Sequence, residues 1–212
     1  KNIVLNRRIG YGIDFINGYL NHFSPRFLFF QGDTNLRHNG WNSGNLYIWT
    51  IPFLILGFIR LWNVSKMVLM FILIWLFLAP IPAALSVPTP HSLRSLNMLP
   101  MPELIISIGI GWVYILLQKK QRILFVILLF SIALIFVTKF IHYYYVKWPA
   151  YSAESWGDGY REMVLYVSEN QKKYDKVIIS GHYWQPYIYT LFYTNFDPRI
   201  YHAKGNSRGF DK

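Results

Sequence analysis

Long apolar runs separated by short polar connections fill the middle of the chain and predict four membrane-spanning helices. We place these spans at residues 46–62, 67–87, 101–118 and 123–145. A helix needs about 20 mostly apolar residues to cross the hydrocarbon core of a bilayer. Four such runs within about a hundred residues leave too few polar faces for a soluble core, so the pattern predicts a membrane domain over residues 46–145.

The second span carries Pro80 and Pro82 near its end, and further prolines bracket the segment that follows. Proline removes a backbone donor and kinks or ends a helix. Irregular backbone at membrane depth is tolerated only where it is buried in protein or lines a cavity. We therefore expect a broken helix end followed by an ordered loop over residues 86–100.

The tail, residues 146–212, has a different pattern and predicts a small α/β domain that is truncated. Apolar residues at helical spacing over residues 160–167 predict a helix. Val177–Ser180 is a short apolar run with β-branched residues, typical of a strand. A second helix is predicted over Pro186–Asn195, and a further strand is expected near Arg199–His202. The predicted fold class is therefore a membrane all-α protein with about four transmembrane helices and an extracytoplasmic α/β tail.

Composition supports the membrane interpretation and excludes several other classes. The chain is 53% hydrophobic and 15% charged, whereas soluble domains carry about 25% charged residues. The net charge of +11 would suit nucleic acid, but Glu103 is the only acidic residue between Leu46 and Val146, in a stretch of long apolar runs. We therefore expect no nucleic-acid partner. The absence of cysteine excludes disulfides, zinc–thiolate sites and cysteine nucleophiles.

Basic residues in the short connections predict the orientation. Arg60 and Lys66 flank the first connection, and residues 119–122 contribute three more cations. Cytoplasmic loops are enriched in Lys and Arg, so both connections are predicted to lie inside. Residues 1–45, interpreted as a loop region, the 86–100 loop and the tail are then extracytoplasmic. Because the chain begins at Lys1 and ends in a polar stretch, we interpret it as a piece of a longer protein.

The first candidate site lies in the outer loop after the second span, where His91 and Arg94 stand three residues apart. Residues at this spacing share a face of a helical turn, so the pair could bind one anionic group together. Arginine offers fixed donors suited to phosphate. The alternative is that Arg94 snorkels and His91 caps a turn. Glu103 has three interpretations: a catalytic base, a partner for Arg94, or a negative charge at the start of a helix, where the helix dipole favours it. We favour the third.

A second candidate group lies in the N-terminal region, where Asp33, Arg37 and His38 follow Gly32. They supply an acid, a cation and an imidazole within a few residues. The alternative is a local ion pair between Asp33 and Arg37, which contributes little when exposed. No three-histidine or HExxH pattern argues for zinc, so we expect neither a metal nor a cofactor.

Two stretches carry a resemblance to a known family: FFQGDTNLRH, residues 29–38, and PHSLR, residues 90–94. Together with the order of spans and outer loops, they resemble the C-terminal part of bacterial multi-spanning glycosyltransferases of the GT-C type. These belong to the protein-mannosyltransferase-like and aminoarabinose-transferase-like superfamily. The resemblance runs from about Phe23 to Tyr193.

The resemblance implies transfer of a sugar from a polyprenyl-phosphate-linked donor on the outer face of the bacterial inner membrane. It implies Arg94 as phosphate clamp and His91 as its helper, with Arg37, His38 and Asp33 also in the substrate site. The acid that acts on the acceptor lies near the N-terminus in that family. No residue here matches it, so the catalytic residue is unknown and we expect the chain alone to be inactive. The partners implied are membrane lipids, the lipid-linked donor and an acceptor that the sequence does not specify.

Two other functions fit the same pattern. A transporter or flippase for a lipid-linked or anionic solute also uses broken helices and cations at membrane depth. An upstream Asp-rich outer loop would favour the enzyme, and an inverted repeat would favour the transporter. A non-catalytic anchor for the outer domain predicts instead that His91 and Arg94 face lipid head groups. A pocket that unites them with Arg37 or His38 would count against the anchor.

Overall fold

The computed structural model describes residues 7–39, 43–181 and 185–203. The chain divides into two compact units, residues 1–148 and 149–212, and the described part of both is mostly helical. The first unit contains α1 (Arg7–Asn21), α2 (Ile51–Val64), α3 (Lys66–Leu78), α4 (Ile81–Ala84), α5 (Pro100–Leu116) and α6 (Lys119–His142). Helix α7 (Trp148–Ser152) begins at the boundary, and the second unit contains α8 (Tyr160–Asn170), α9 (Pro186–Tyr193) and α10 (Pro198–Ala203).

Three helical stretches are long and apolar enough to cross a membrane: Lys66–Ala84, Leu96–Leu116 and Lys119–Ser152. They correspond to the second, third and fourth predicted spans and are compatible with a membrane protein. The first predicted span is a shorter apolar helix, Ile48–Val64. It begins late because Tyr47 is extended, and it ends at Ser65, whose extended backbone and side-chain hydroxyl cap α3 through the N–H of Val68.

The second span is interrupted where its prolines predict. Helix α3 ends at Leu78, a turn occupies Ala79 and Pro80, and the four-residue α4 follows. Proline lacks the N–H that would continue the helical ladder. Helix α4 then leads into the loop that carries His91 and Arg94.

The N-terminal region is not the loop that the sequence analysis predicts, because it contains α1. The missed signal is the helical spacing of Ile9, Ile13, Ile16 and Leu20, which form an exposed apolar face on this amphipathic helix. Gly18 lies buried on the opposite face, where an added Cβ would come within 3.2 Å of the Ala84 carbonyl oxygen.

Helices α2 and α5 pack backbone to backbone and form the centre of the first unit. A Cβ added to Gly57 would lie 1.8 Å from the Ile105 carbonyl oxygen, and one added to Gly109 would lie 2.0 Å from the Phe53 carbonyl oxygen. Small residues permit this close approach, as in membrane helix pairs. The buried apolar cluster beside this contact comprises Leu61, Leu69, Ile72, Met101 and Ile105.

The second unit departs from the predicted α/β domain: none of its described residues forms a strand. Val177–Ser180 is irregular backbone rather than the predicted strand, since no described segment pairs with its backbone groups. The strand expected near Arg199–His202 is instead part of α10. The two predicted helices are present as α8 and α9, and they pack through the stacked rings of Tyr160 and Tyr189, with centroids 4.2 Å apart.

Candidate functional site

The first site segment, residues 31–39, is a tight polar loop shaped by its own side chains. Gly32 has a φ of +67°, which favours glycine. The Asp33 Oδ1 atom accepts the Asn35 N–H at 2.8 Å, and the Asn35 Oδ1 atom accepts the Arg37 N–H at 3.0 Å. The Asn39 amide donates to the Asp33 carbonyl oxygen at 2.9 Å. Asx-type bonds of this kind replace a regular backbone ladder.

The second segment, residues 86–95, approaches after the broken span. The peptide bonds before Pro88 and Pro90 are cis. The carbonyl oxygen of His91 then accepts the Ser95 hydroxyl at 2.8 Å, which closes a helical turn. Within this turn the Arg94 N–H donates to the His91 Nδ1 atom at 3.4 Å.

The two segments meet at the carboxylate of Asp33. Its Oδ2 atom accepts the Ser92 N–H at 2.9 Å and lies 3.2 Å from His38 Nδ1 and 3.8 Å from His91 Nδ1. The two imidazole rings stack with centroids 4.3 Å apart. We refer to Asp33, His38 and His91 as the Asp–His–His cluster. Residues distant in the sequence, each a predicted site residue, thus form one group.

Burial sets the electrostatics of this cluster. Asp33 is 4% exposed and His91 is 6% exposed. Burial lowers the pKa of His91 from its usual range, and the neighbouring His38 and Arg94 lower it further, against the opposing effect of Asp33. The structure therefore favours a neutral His91 imidazole beside a buried carboxylate.

His22, which the sequence analysis overlooked, lies next to the Asp–His–His cluster and contacts the backbone of His91. It is fully buried, its Nδ1 atom lies 2.8 Å from the Gly18 carbonyl oxygen, and its Nε2 atom accepts the His91 N–H at 3.2 Å. These partners assign the proton to Nδ1. Burial is the main cause that lowers the pKa of His22. No local motif marks this residue, because the His91 N–H that it accepts is distant in the sequence.

Arg94 borders the cluster rather than entering it. Its side chain is exposed, and its guanidinium donates to the Ser86 hydroxyl at 2.6 Å. Arg37 is half-buried in the first segment, where its backbone joins the Asx turn. Glu103 is exposed in the first turn of α5, the position that the helix dipole favours for an acid.

The ligand types of the cluster suit a cation, which the sequence analysis did not anticipate. One ring nitrogen of His38, one of His91 and a carboxylate oxygen of Asp33 lie within 4.8 Å of one another. Motif reasoning missed this set because its members belong to two segments separated by α2, α3 and α4.

Comparison with protein-family models, curated proteins and solved structures finds no match for this chain. The geometry of the site therefore carries the functional argument.

Proposed function

We propose that the chain is part of an integral membrane glycosyltransferase that moves a sugar from a polyprenyl-phosphate-linked donor to an acceptor at the outer face of a bacterial inner membrane. The observation that carries the proposal is the meeting of residues 31–39 and 86–95 in one buried polar cluster beside a broken apolar helix. The same two segments carry the resemblance to GT-C enzymes.

The cluster supports a role in binding the donor phosphate. The exposed guanidinium of Arg94 stands at the rim, only one turn from His91. A lipid phosphate becomes the leaving group in the proposed reaction, and fixed donors that face it stabilise the charge that develops. His91, when neutral, adds a ring N–H donor without adding a repelling charge to Arg94.

An apolar groove is the evidence that the site could bind the lipid part of the donor. A cavity of about 340 Å³ lies along the end of α3 and is lined by residues that include Phe71, Trp75, Leu78 and Pro82. Asn97, from the loop after Arg94, also lines it, and its carbonyl oxygen accepts the indole N–H of Trp75. An isoprenoid chain fits such a surface, while its phosphate would lie toward the polar loop.

Arg94→Ala tests the proposal in the intact protein. We expect transfer from a radiolabelled polyprenyl-phosphate sugar to fall at least about tenfold, a barrier change of about 1.4 kcal/mol, because a charged donor to the leaving phosphate is lost. The measurement is initial transfer rate in membranes with matched protein levels. Arg161→Ala, an exposed arginine on α8, is the matched control. Equal rates for the two variants would remove Arg94 from the site.

The broken helix also favours a second candidate, a transporter or flippase for a lipid-linked or anionic solute. This activity would move the labelled lipid across the membrane without cleaving its sugar–phosphate bond. A labelled donor that changes leaflet but is recovered intact would select this candidate over the transferase.

A further inference from the structure

We propose that Asp33, His38 and His91 bind one divalent transition-metal ion, zinc in class, and leave one coordination position open toward the substrate. Three protein ligands with an open fourth position are typical of catalytic rather than structural zinc. The identity of the fourth ligand rests on the proposed function, in which it is an oxygen of the donor phosphate. The binding of the metal itself does not depend on that function.

The spacing of the ligand atoms fits the metal. Zinc binds nitrogen and oxygen at about 2.0–2.2 Å, so the edges of its coordination tetrahedron are about 3.4 Å. The Asp33 Oδ2 atom lies 3.2 Å from His38 Nδ1 and 3.8 Å from His91 Nδ1. These two edges bracket the ideal length, and all three ligand atoms lie within 4.8 Å of one another, so modest side-chain shifts bring them into range.

The donor set selects the class of metal. Two imidazole nitrogens and one carboxylate oxygen suit zinc and neighbouring transition metals, whereas calcium and magnesium prefer oxygen ligands alone. Both imidazoles place their Nδ1 atoms near the same carboxylate oxygen, and at His91 the metal would replace the long hydrogen bond that Nδ1 accepts from the Arg94 N–H. This convergence on one point distinguishes the cluster from a scattered group of surface histidines.

Hydrogen bonds fix the orientation of the Asp33 carboxylate, as is typical of a metal ligand. Its Oδ1 atom accepts the Asn35 N–H and its Oδ2 atom accepts the Ser92 N–H. Ligating carboxylates are oriented by such outer hydrogen bonds. A buried carboxylate is also costly without a compensating charge. A divalent cation held between this carboxylate and the two imidazoles would provide that charge.

A bound ion would also give the cluster a chemical role. A metal held by Asp33, His38 and His91 would supply Lewis-acid stabilisation of the charge on a departing lipid phosphate. Arg94 at the rim would act on the same group. The two cations would then stabilise the same leaving group.

Cobalt substitution tests the site directly. The intact protein, purified in detergent and stripped of metal, is titrated with Co²⁺, whose visible absorption reports four-coordinate binding. We expect about one ion per chain, as three ligands converge on one point, and competition by Zn²⁺. His38→Ala and His91→Ala should lose the absorption, while His202→Ala, an exposed histidine on α10, should keep it.

The His38→Cys variant distinguishes the loss of a metal ligand from a loss of folding in the alanine variants. The 212 residues contain no cysteine, so a cobalt–thiolate charge-transfer band in this variant would identify position 38 as a ligand. No cobalt binding by the wild type, or binding unchanged in His38→Ala and His91→Ala, would overturn the proposal. Metal binding without sugar transfer would defeat the proposed function alone, and transfer that survives complete metal removal would defeat the role of the metal as a ligand of the donor phosphate.

Discussion

At the scale of single residues, Asp33 organises the site by the number of hydrogen bonds that its carboxylate accepts. One oxygen fixes its own loop through Asn35, and the other holds the second segment through the Ser92 N–H. Sequence alone indicates Asp33, His38 and His91 as candidates because their residue types bear chemistry. It gives no sign of their contact, since a three-dimensional meeting between two loops leaves no local pattern.

His22 shows the other limit of residue-level reasoning. A histidine just after an amphipathic helix is unremarkable in the sequence, yet the structure buries it completely behind His91. Its contribution is one acceptor nitrogen, which accepts a hydrogen bond from a buried backbone N–H. An unsatisfied buried donor costs about 1–3 kcal/mol, so the fold needs an acceptor there that no motif announces.

The buried state of His22 predicts how stability depends on pH. Because burial lowers its pKa in the folded state, the unfolded state binds the proton more readily. The stabilising contribution is therefore present above the unfolded pKa, about 6.5, and is lost as pH falls below it. We expect the thermal midpoint of the detergent-solubilised protein to fall between about pH 7.5 and about pH 5.

His22→Gln isolates this contribution, because a glutamine amide can donate and accept but does not titrate. We expect a lower midpoint at neutral pH and a weaker dependence on pH than in the wild type. His202→Gln, at an exposed position, provides the control and should keep the wild-type slope. A His22→Gln curve parallel to the wild-type curve would contradict the assignment.

At the scale of elements, the apolar helices follow from the sequence because long hydrophobic runs have few alternatives. The break after Leu78 follows equally from Pro80. The tail strand fails as a prediction for a physical reason: a strand is defined by a partner, and Val177–Ser180 has no strand beside it among the described residues. Helix α1 is not predicted from the sequence because its composition, with a polar face and only a short apolar stripe, is close to that of a loop.

The pairing of α2 with α5 predicts different effects for two glycines of one helix. An alanine Cβ at position 109 would lie 2.0 Å from the Phe53 carbonyl oxygen, so the helices must separate, whereas one at position 111 has nothing within 4 Å. We expect Gly109→Ala to lower stability by about 1–3 kcal/mol. Gly111→Ala should leave it unchanged or raise it, because alanine favours the helix.

Thermal unfolding in detergent, followed by helical circular dichroism, measures the difference between these variants. The two substitutions add the same methyl group to the same helix, so propensity and hydrophobicity are matched. Only the distance to α2 differs. Equal stability of Gly109→Ala and Gly111→Ala would mean that the two helices do not touch at this point.

At the scale of the whole molecule, the Asp–His–His cluster constrains how the chain can cross a bilayer. Hydrogen bonds join residues 31–39 to residues 86–95, so both segments must lie on the same side. Between them lies Lys66–Ala84, which is long and apolar enough to cross a membrane, and if it does so a return to the same side requires a second crossing. Among the described residues between the two segments, the other apolar helix is Ile48–Val64. At 1.5 Å per residue it spans about 26 Å, slightly less than the hydrocarbon core of about 30 Å.

We therefore expect the shorter helix Ile48–Val64 to cross the membrane, with local thinning of the bilayer around it. Single cysteines at Asn17, Val64 and Lys172, in a chain that otherwise has none, test this with a membrane-impermeant maleimide. Asn17→Cys and Lys172→Cys should react in intact cells, and Val64→Cys only after permeabilisation, since the basic connections are predicted to lie inside. Reaction of positions 17 and 64 from the same side would separate the two loops by a bilayer, and the cluster could not form in the membrane.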